Sequence, residues 1–364
     1  MRSDASINDG KEINMKPLKT GMAYHGNRMP SHYRVDLEEM QKADLDIVVH
    51  MFSHTDWDRH HLVMKDIFKM TEDAGLEVWV DNWGIGGPPG DKSFFLGLHP
   101  EAHMIYSDGT MHPTKVCINS PAYRQFVKDW LDTVAEIGGK TVFWDEPYMP
   151  SKKIEGTDSF NYCCTCPECK KRFEERYNKK MPLILDDDAA QFRTESNADF
   201  FREITDYSAS LGLTNVACVM LGAAHGINLD SIDSICGLPH LDNIGSDPYW
   251  LSTGKRGSDV YQYVYEKTKK NVEIADSFGK DHNIWIQGYN FPRGTEDDII
   301  LACHAAYDAG ARTILGWGFH GCESNTYRAQ NPERTWNKMV DGMRRIKQLE
   351  YDRLVAEAQA LYKK

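Results

Sequence analysis

Long apolar runs are missing from this 364-residue chain. No stretch approaches the ~18 consecutive apolar residues that a membrane-spanning helix needs. The segment Met1 to Leu18 is polar and mixed in charge, with no apolar leader region or small-residue cleavage site. The expectation is a cytoplasmic protein with no membrane partner. Positive charge is also scarce: 54 acidic residues face 42 basic ones, for a net charge of -12. Nucleic acids and anionic surfaces need concentrated Lys and Arg, so neither is an expected partner, and a neutral ligand fits better. The runs Lys170-Lys171-Arg172 and Lys267 to Lys270 read as solvated helix faces.

No phosphate cradle is present. Gly84-Ile85-Gly86-Gly87-Pro88-Pro89-Gly90 has no following Lys-Ser/Thr and opens no helix, so it reads as a loop on a pocket rim. There is no internal repeat, and the one biased run, Asp186-Asp187-Asp188, reads as a solvated helix start. A disulfide framework is also excluded: nine cysteines are few for this length, and four of them fall within seven positions.

What is there is an alternation of short apolar, β-branched runs with amphipathic segments. Eight strands are predicted, at Thr20 to Tyr24, Asp46 to Phe52, Glu77 to Asp81, Thr141 to Asp145, Asn215 to Leu221, Asn243 to Asp247, Asn283 to Gln287 and Thr313 to Trp317. Several intervening segments end in glycine, as at Ala74-Gly75 and Ile137-Gly138, the residue that closes a helix before an αβ loop. The pattern predicts an α/β fold, a single (β/α)8 TIM barrel over residues 19–364 behind a polar extension at 1–18. The βα loops after strands three and four are long, the latter carrying an insertion at about 148–197. That asymmetry places function at the C-terminal face of the barrel. A homo-oligomer is compatible with such a barrel.

Strand ends therefore supply the candidate site. Val142-Phe143-Trp144-Asp145-Glu146-Pro147 is a buried strand that ends in two acids. Asp247 closes strand six. Around them stand His25, His50, Asp81, Trp83, Tyr249, Trp250, Gln287 and Trp317, with His54, His225, Tyr289 and His320 in the same inventory. Aromatic rings stack on the apolar faces of sugar rings, while carboxylates, amides and imidazoles bond hydroxyls, so the expected substrate is a carbohydrate. Glycosidic cleavage uses one protonated and one ionised carboxyl group. Glu146 is the candidate acid, and Asp247 or Asp145 the second group.

Cys164-x-Cys166-x2-Cys169 offers three thiolates to one tetrahedral ion, with Cys117 or Cys163 as the fourth ligand. Cys117 is favoured, because adjacent cysteines rarely both ligate one ion. Phe173 and Tyr177 follow at helical spacing, so the last ligand opens a short helix. The expected cofactor is a structural Zn2+.

Trp144-Asp145-Glu146-Pro147, Cys117-Ile118-Asn119-Ser120-Pro121-Ala122-Tyr123-Arg124 and the cysteine knuckle together resemble the family 42 glycoside hydrolases. Those are clan A (β/α)8 enzymes, many of them β-galactosidases with a four-cysteine zinc site. The resemblance implies Glu146 as acid/base and Cys117, Cys164, Cys166 and Cys169 as metal ligands. Asp247-Pro248-Tyr249-Trp250 and Trp285-Ile286-Gln287 resemble segments of other glycosidase barrels. Two departures stand out. Asp145 occupies the place of the clan's Asn, and Gln287 stands where the clan has its nucleophilic Glu, so the clan's retaining mechanism does not carry over. Pairing strand four with strand six resembles α-galactosidases instead. The leading expectation is a glycoside hydrolase acting on a small oligosaccharide or glycoside. The alternatives are a metal-dependent sugar or sugar-acid isomerase, lyase or aldolase, with His50 or Asp81 on a divalent ion, and a non-catalytic carbohydrate-binding barrel.

Overall fold

A computed structural model describes residues 16–86, 93–146, 148–219 and 233–362. Eight parallel strands close on themselves: β1 (Lys19–Tyr24), β2 (Ile47–Met51), β3 (Glu77–Asp81), β4 (Thr141–Asp145), β5 (Thr214–Val219), β6 (Asn243–Ser246), β7 (Asp281–Gln287) and β8 (Thr313–Trp317). β1 pairs with both β2 and β8, which removes any free edge. This is the single (β/α)8 barrel that the alternating pattern predicts. Each strand sits within a few residues of its expected span, although the end expected for β5 at Leu221 lies outside the described residues.

Strand alternation separates two cores. Ile47, Val49, Met51, Trp79, Phe143, Val216, Cys218, Trp285 and Leu315 pack together in the barrel interior. Their neighbours Val48, Val78, Val80, Val142, Trp144, Ala217, Ile284 and Ile314 face the surrounding helices. The period of two thus decides which side chains reach the mouth of the barrel.

The helices begin earlier than their apolar stripes suggest, because polar caps extend them. Ser53 and Asp56 form a reciprocal capping box that starts the helix His54–Asp73. Asp186 accepts from the Ala189 N–H and starts Asp187–Ser210, as the acidic run predicts, and this helix runs through position 197. Gly75 and Gly138 end their helices at φ +84 and +96, a conformation that other residues adopt at a cost.

The two long βα loops fold into their own hairpins, His103–Ile105 with Met111–Val116 after β3, and Ser151–Lys153 with Phe160–Tyr162 after β4. They dock on one another: the Ser107 N–H donates to the Tyr162 carbonyl and the Thr165 N–H to the Ile105 carbonyl. No helix among the described residues is long and apolar enough to cross a membrane.

Candidate active site

Three strand ends deliver acids. Asp81 and Asp145 occupy interior positions, in step with Trp79 and Phe143 two residues before them. Glu146 follows Asp145, and in continued extended chain its side chain would face the helices. Instead its backbone turns into the left-handed region at φ 35, and both carboxyl groups line the same cavity. Such a conformation costs about 1–3 kcal/mol in a non-glycine residue. Asp247 enters from the turn after β6, where the Tyr249 N–H donates to the Asp247 carbonyl at 2.6 Å.

Glu146 and Asp247 share a side-chain hydrogen bond. Burial pushes Asp247 well above the carboxylate range, and the Glu146 charge and hydrogen bond push it further. Burial raises Glu146 too, while its bonds to Asp247 and the nearby Lys115 cation pull it back. Of the two, Asp247 is raised further, which makes it the stronger holder of a proton. Asp145 is held well above its ordinary value by burial and then by the charges of Asp81, Glu146 and Asp247. Burial does the same to Asp81, whose Oδ1 accepts the Trp83 N–H at 2.9 Å while its Oδ2 has no partner. The outcome is a cluster of four acids whose proton affinity burial raises in every member. A neutral carboxyl group in a cavity is an available proton donor at neutral pH.

The cavity, of about 260 Å³, is walled by the rings of Trp83, Tyr249, Trp285, Tyr289, Trp317 and Tyr327, with His25, Cys218 and Asn325 between them. His25 meets Trp83 and Trp317 edge-on, with ring centroids 5.4 and 5.0 Å apart. Burial lowers its pKa to about 4, so it is a neutral hydrogen-bonding group near pH 7. Lys115 reaches toward the acids from the hairpin after β3, 5.1 Å from the Tyr148 ring centroid, with its pKa lowered to about 8 chiefly by burial.

The structure thus brings Asp145, Glu146, Asp247, His25, Trp83, Tyr249 and Trp317 together on one cavity wall. Four expected site residues stand elsewhere. His50 is an outward position of β2: its Nε2 lies 3.1 Å from Thr71 Oγ1, and its ring packs against Tyr24, Tyr33 and Phe68 in the helix layer. It is a core histidine. Because Asp81 faces the interior, the two lie on opposite faces of the sheet and share no ion. Trp250 is fully buried against Phe291 and does not line the cavity. Gln287 faces the interior but commits its amide to backbone, accepting from the Leu251 N–H at 3.3 Å and donating to the Tyr289 carbonyl at 3.5 Å. Asp81 does not line the cavity, and ionising it would raise Asp145 further. His54 pairs with Ser93 and His320 with Glu39, both off the cavity. His225 and the glycines from position 87 to 90 lie outside the described residues.

Cys218, Trp285, Asn325, Tyr327 and Lys115 are site residues that the sequence reading misses. Cys218 and Trp285 sit at interior positions near strand ends, so strict period-two counting finds them. Nothing local marks Asn325 and Tyr327, which belong to the loop after β8, or Lys115, which arrives from a hairpin.

The second cluster is made of sulfur. Cys117, Cys164, Cys166 and Cys169 are all buried, and their Sγ atoms lie within 4.8 Å of one another. Cys117 Sγ is 3.4 Å from Cys169 Sγ and 3.6 Å from Cys166 Sγ. A tetrahedral ion with Zn–S bonds of ~2.3 Å spaces its sulfurs roughly 3.8 Å apart, so this donor set fits such an ion. Cys163 is outside the cluster. Cys166 caps the helix Pro167–Tyr177, so Cys169 lies in that helix's first turn, where backbone N–H groups favour thiolate. Asn119 Nδ2 points at Cys169 Sγ from 3.4 Å.

No family model matches the sequence, and no curated protein matches it. Solved structures do match in fold. An endo-1,4-beta-mannanase from Rhizomucor miehei superposes with a TM-score of 0.60 at 10% identity, over 92% of this chain and 96% of its own. A hyperthermostable endo-1,4-beta-D-mannanase from Thermotoga petrophila RKU-1 gives 0.51 at 10% identity, over 90% and 99%. A D-allulose 3-epimerase from Methylomonas sp., solved with D-allulose, gives 0.51 at 12% identity, over 91% and 98%. At these identities the likeness establishes the barrel and nothing finer.

Proposed function

We propose that the protein is a carbohydrate-active enzyme of the glycoside hydrolase type, in which Glu146 and Asp247 form the working carboxyl pair. The observation that carries this reading is a pair of directly interacting acids, both with raised proton affinity, inside an aromatic-walled cavity at the C-terminal face of a (β/α)8 barrel. Mannanases among the fold neighbours accord with it. The cavity lies near the small end of the ~300–1,000 Å³ typical of small-molecule sites, which suits one sugar ring.

In this reading the sugar stacks on the tryptophan and tyrosine rings and parts the pair. Asp247, raised further than Glu146, takes the acid's role that the sequence suggests for Glu146 and donates its proton to the leaving glycosidic oxygen. Ionised Glu146 faces the charge that develops on the anomeric carbon or takes a proton from the attacking water, and Asp145 tunes both from beside them. Retaining enzymes hold their two carboxyl groups roughly 5 to 5.5 Å apart and inverting ones roughly 6.5 to 9.5 Å. The pair here is in direct hydrogen-bond contact, so substrate entry has to separate it.

That same contact favours a second reading: a proton-transfer epimerase or isomerase, for which D-allulose 3-epimerase is a fold neighbour. Two acids in contact relay a proton without an intervening water. For the cysteine cluster we propose a structural Zn2+, whose role is to hold the two hairpins together.

A screen of aryl glycosides of both anomers separates the readings. Release of the aryl group by wild type and not by Glu146→Gln supports hydrolysis. Inertness on every glycoside, together with solvent deuterium entering a free ketose or aldose, replaces it with proton transfer.

A further inference from the structure

Beside the acid cavity lies a second chamber of about 240 Å³. Four side chains, His25, Trp83, Asn325 and Tyr327, belong to the walls of both. Asp145, Glu146 and Asp247 line the first chamber and not the second, which is lined by Met51 at the end of β2 and His25 just after β1. We propose that this second chamber is a binding subsite for a further neutral, hydroxyl-bearing ring, covalently linked to the ring that occupies the acid cavity. The inference rests on the carbohydrate reading above and extends it to a ligand of at least two rings.

Charge decides the ligand class. Arg28 and Asp56 sit in the chamber floor as a bidentate pair, Nε to Oδ1 at 2.6 Å and Nη2 to Oδ2 at 3.1 Å. Two further guanidinium donors are engaged by backbone: Nη1 donates to the Gly26 carbonyl and Nη2 also to that of Met51. Asp56 accepts in addition from the Ser53 N–H and hydroxyl. The cation is thus neutralised in place and four of its five N–H donors are engaged, so the floor gives little to a carboxylate, sulfate or phosphate on the ligand. The floor is also rigid, since the same Asp56 closes the capping box of the helix His54–Asp73. What the chamber offers instead is a shared indole face on Trp83 and the hydroxyls and amide of Ser324, Asn325 and Thr326 at its rim. This is the same mixture of ring and neutral polar group that characterises the first chamber.

The size argues in the same direction. Each chamber alone is close to one ring, and the four residues common to their walls put the two side by side. Ser324 and Thr326 belong to the second chamber only and are exposed, so enlarging either fills that chamber without disturbing the barrel core.

The test is isothermal titration calorimetry with lactose, cellobiose and mannobiose against galactose, glucose and mannose. At least one disaccharide should bind tenfold or more tightly than its component monosaccharides, with glucuronic acid showing no advantage over glucose. In Thr326→Trp, and independently in Ser324→Trp, the disaccharide advantage should shrink toward onefold while the melting temperature holds. Equal affinity for disaccharide and monosaccharide in wild type, or an advantage that survives both tryptophans, overturns the subsite and leaves the acid cavity's reading intact. Failure of all six sugars to bind overturns the carbohydrate reading and the subsite together.

Discussion

The protein buries two clusters of ionisable groups, and they are built in opposite ways. Three of the four clustered cysteines lie within six residues of chain, and the fourth, Cys117, follows a hairpin strand that docks on the same loop. The acids come from three strand ends, held apart by most of the barrel sequence. The sulfur cluster answers its burial by gathering donors that suit a cation, whereas the acid cluster answers it by holding its protons more tightly. A cluster that solves its charge problem with an ion is a staple. A cluster that solves it with protons has protons to transfer.

Removing the ion is the strongest way to break the staple half of that contrast. The purified protein should carry one Zn2+ per chain by elemental analysis. Chelation or Cys164→Ser should lower the melting temperature by roughly 10 °C or more, because thiolate zinc sites are worth up to ~10–16 kcal/mol and each kcal/mol moves a chain of this size by about 1–1.5 °C. Retention of the wild-type melting curve by a metal-free sample would leave the cysteines as mere buried thiols.

The acid half breaks differently. Asp247→Asn keeps a donor toward the Glu146 carboxylate, and Glu146→Gln keeps an acceptor for the Asp247 hydroxyl, so folding should hold in both. Turnover should fall by about 10²–10⁴, the usual weight of a positioned proton carrier. A variant with more than a tenth of wild-type kcat would remove its residue from the pair.

The two clusters were also unequally legible in the chain. Cys164, Cys166 and Cys169 announce themselves by spacing, as Asp145 and Glu146 do by closing an apolar strand, and the barrel follows from eight alternations with glycine stops. What spacing cannot supply is the face. His50 and Asp81 both stand at or beside a strand end, yet one points to helices and the other to the interior, and only their register relative to Val49 and Trp79 separates them. Glu146 shows the reverse error: counting by twos sends it outward, and a left-handed turn brings it back. Tyr327 and Lys115 come from loop and hairpin, where no periodicity exists to be read.

Asp81 tests whether the acid cluster strains the fold. Its pKa in the folded protein is raised by burial, whereas in the unfolded chain it titrates near the ordinary ~3.9. Between these values the folded state binds more protons than the unfolded one, so stability falls as pH rises, by ~1.4 kcal/mol per unit for each such group. Below the unfolded value both states are protonated and the effect vanishes. Asp81→Asn should therefore leave stability at pH 4 nearly unchanged and raise it at pH 7, flattening the decline expected in denaturant melts of wild type. A variant whose decline parallels wild type over that window would show that Asp81 is ionised in the fold.

The smallest effect concerns the two faces of the sheet. His50→Phe and Trp250→Phe change residues that pack behind the strands and loops, so each should cost about 1–2 kcal/mol of stability through a lost hydrogen bond or looser packing and leave kcat/KM within about twofold. Trp317→Phe alters a ring on the cavity wall and should cut kcat/KM about tenfold, the weight of one good ring contact, with less effect on melting. The comparison turns on the ratio between the kinetic and thermal changes in the same variant, since any of the three can destabilise. If His50→Phe slowed turnover as much as Trp317→Phe while melting like wild type, the division of the barrel into a chemical face and a packing face would have to be redrawn around β2.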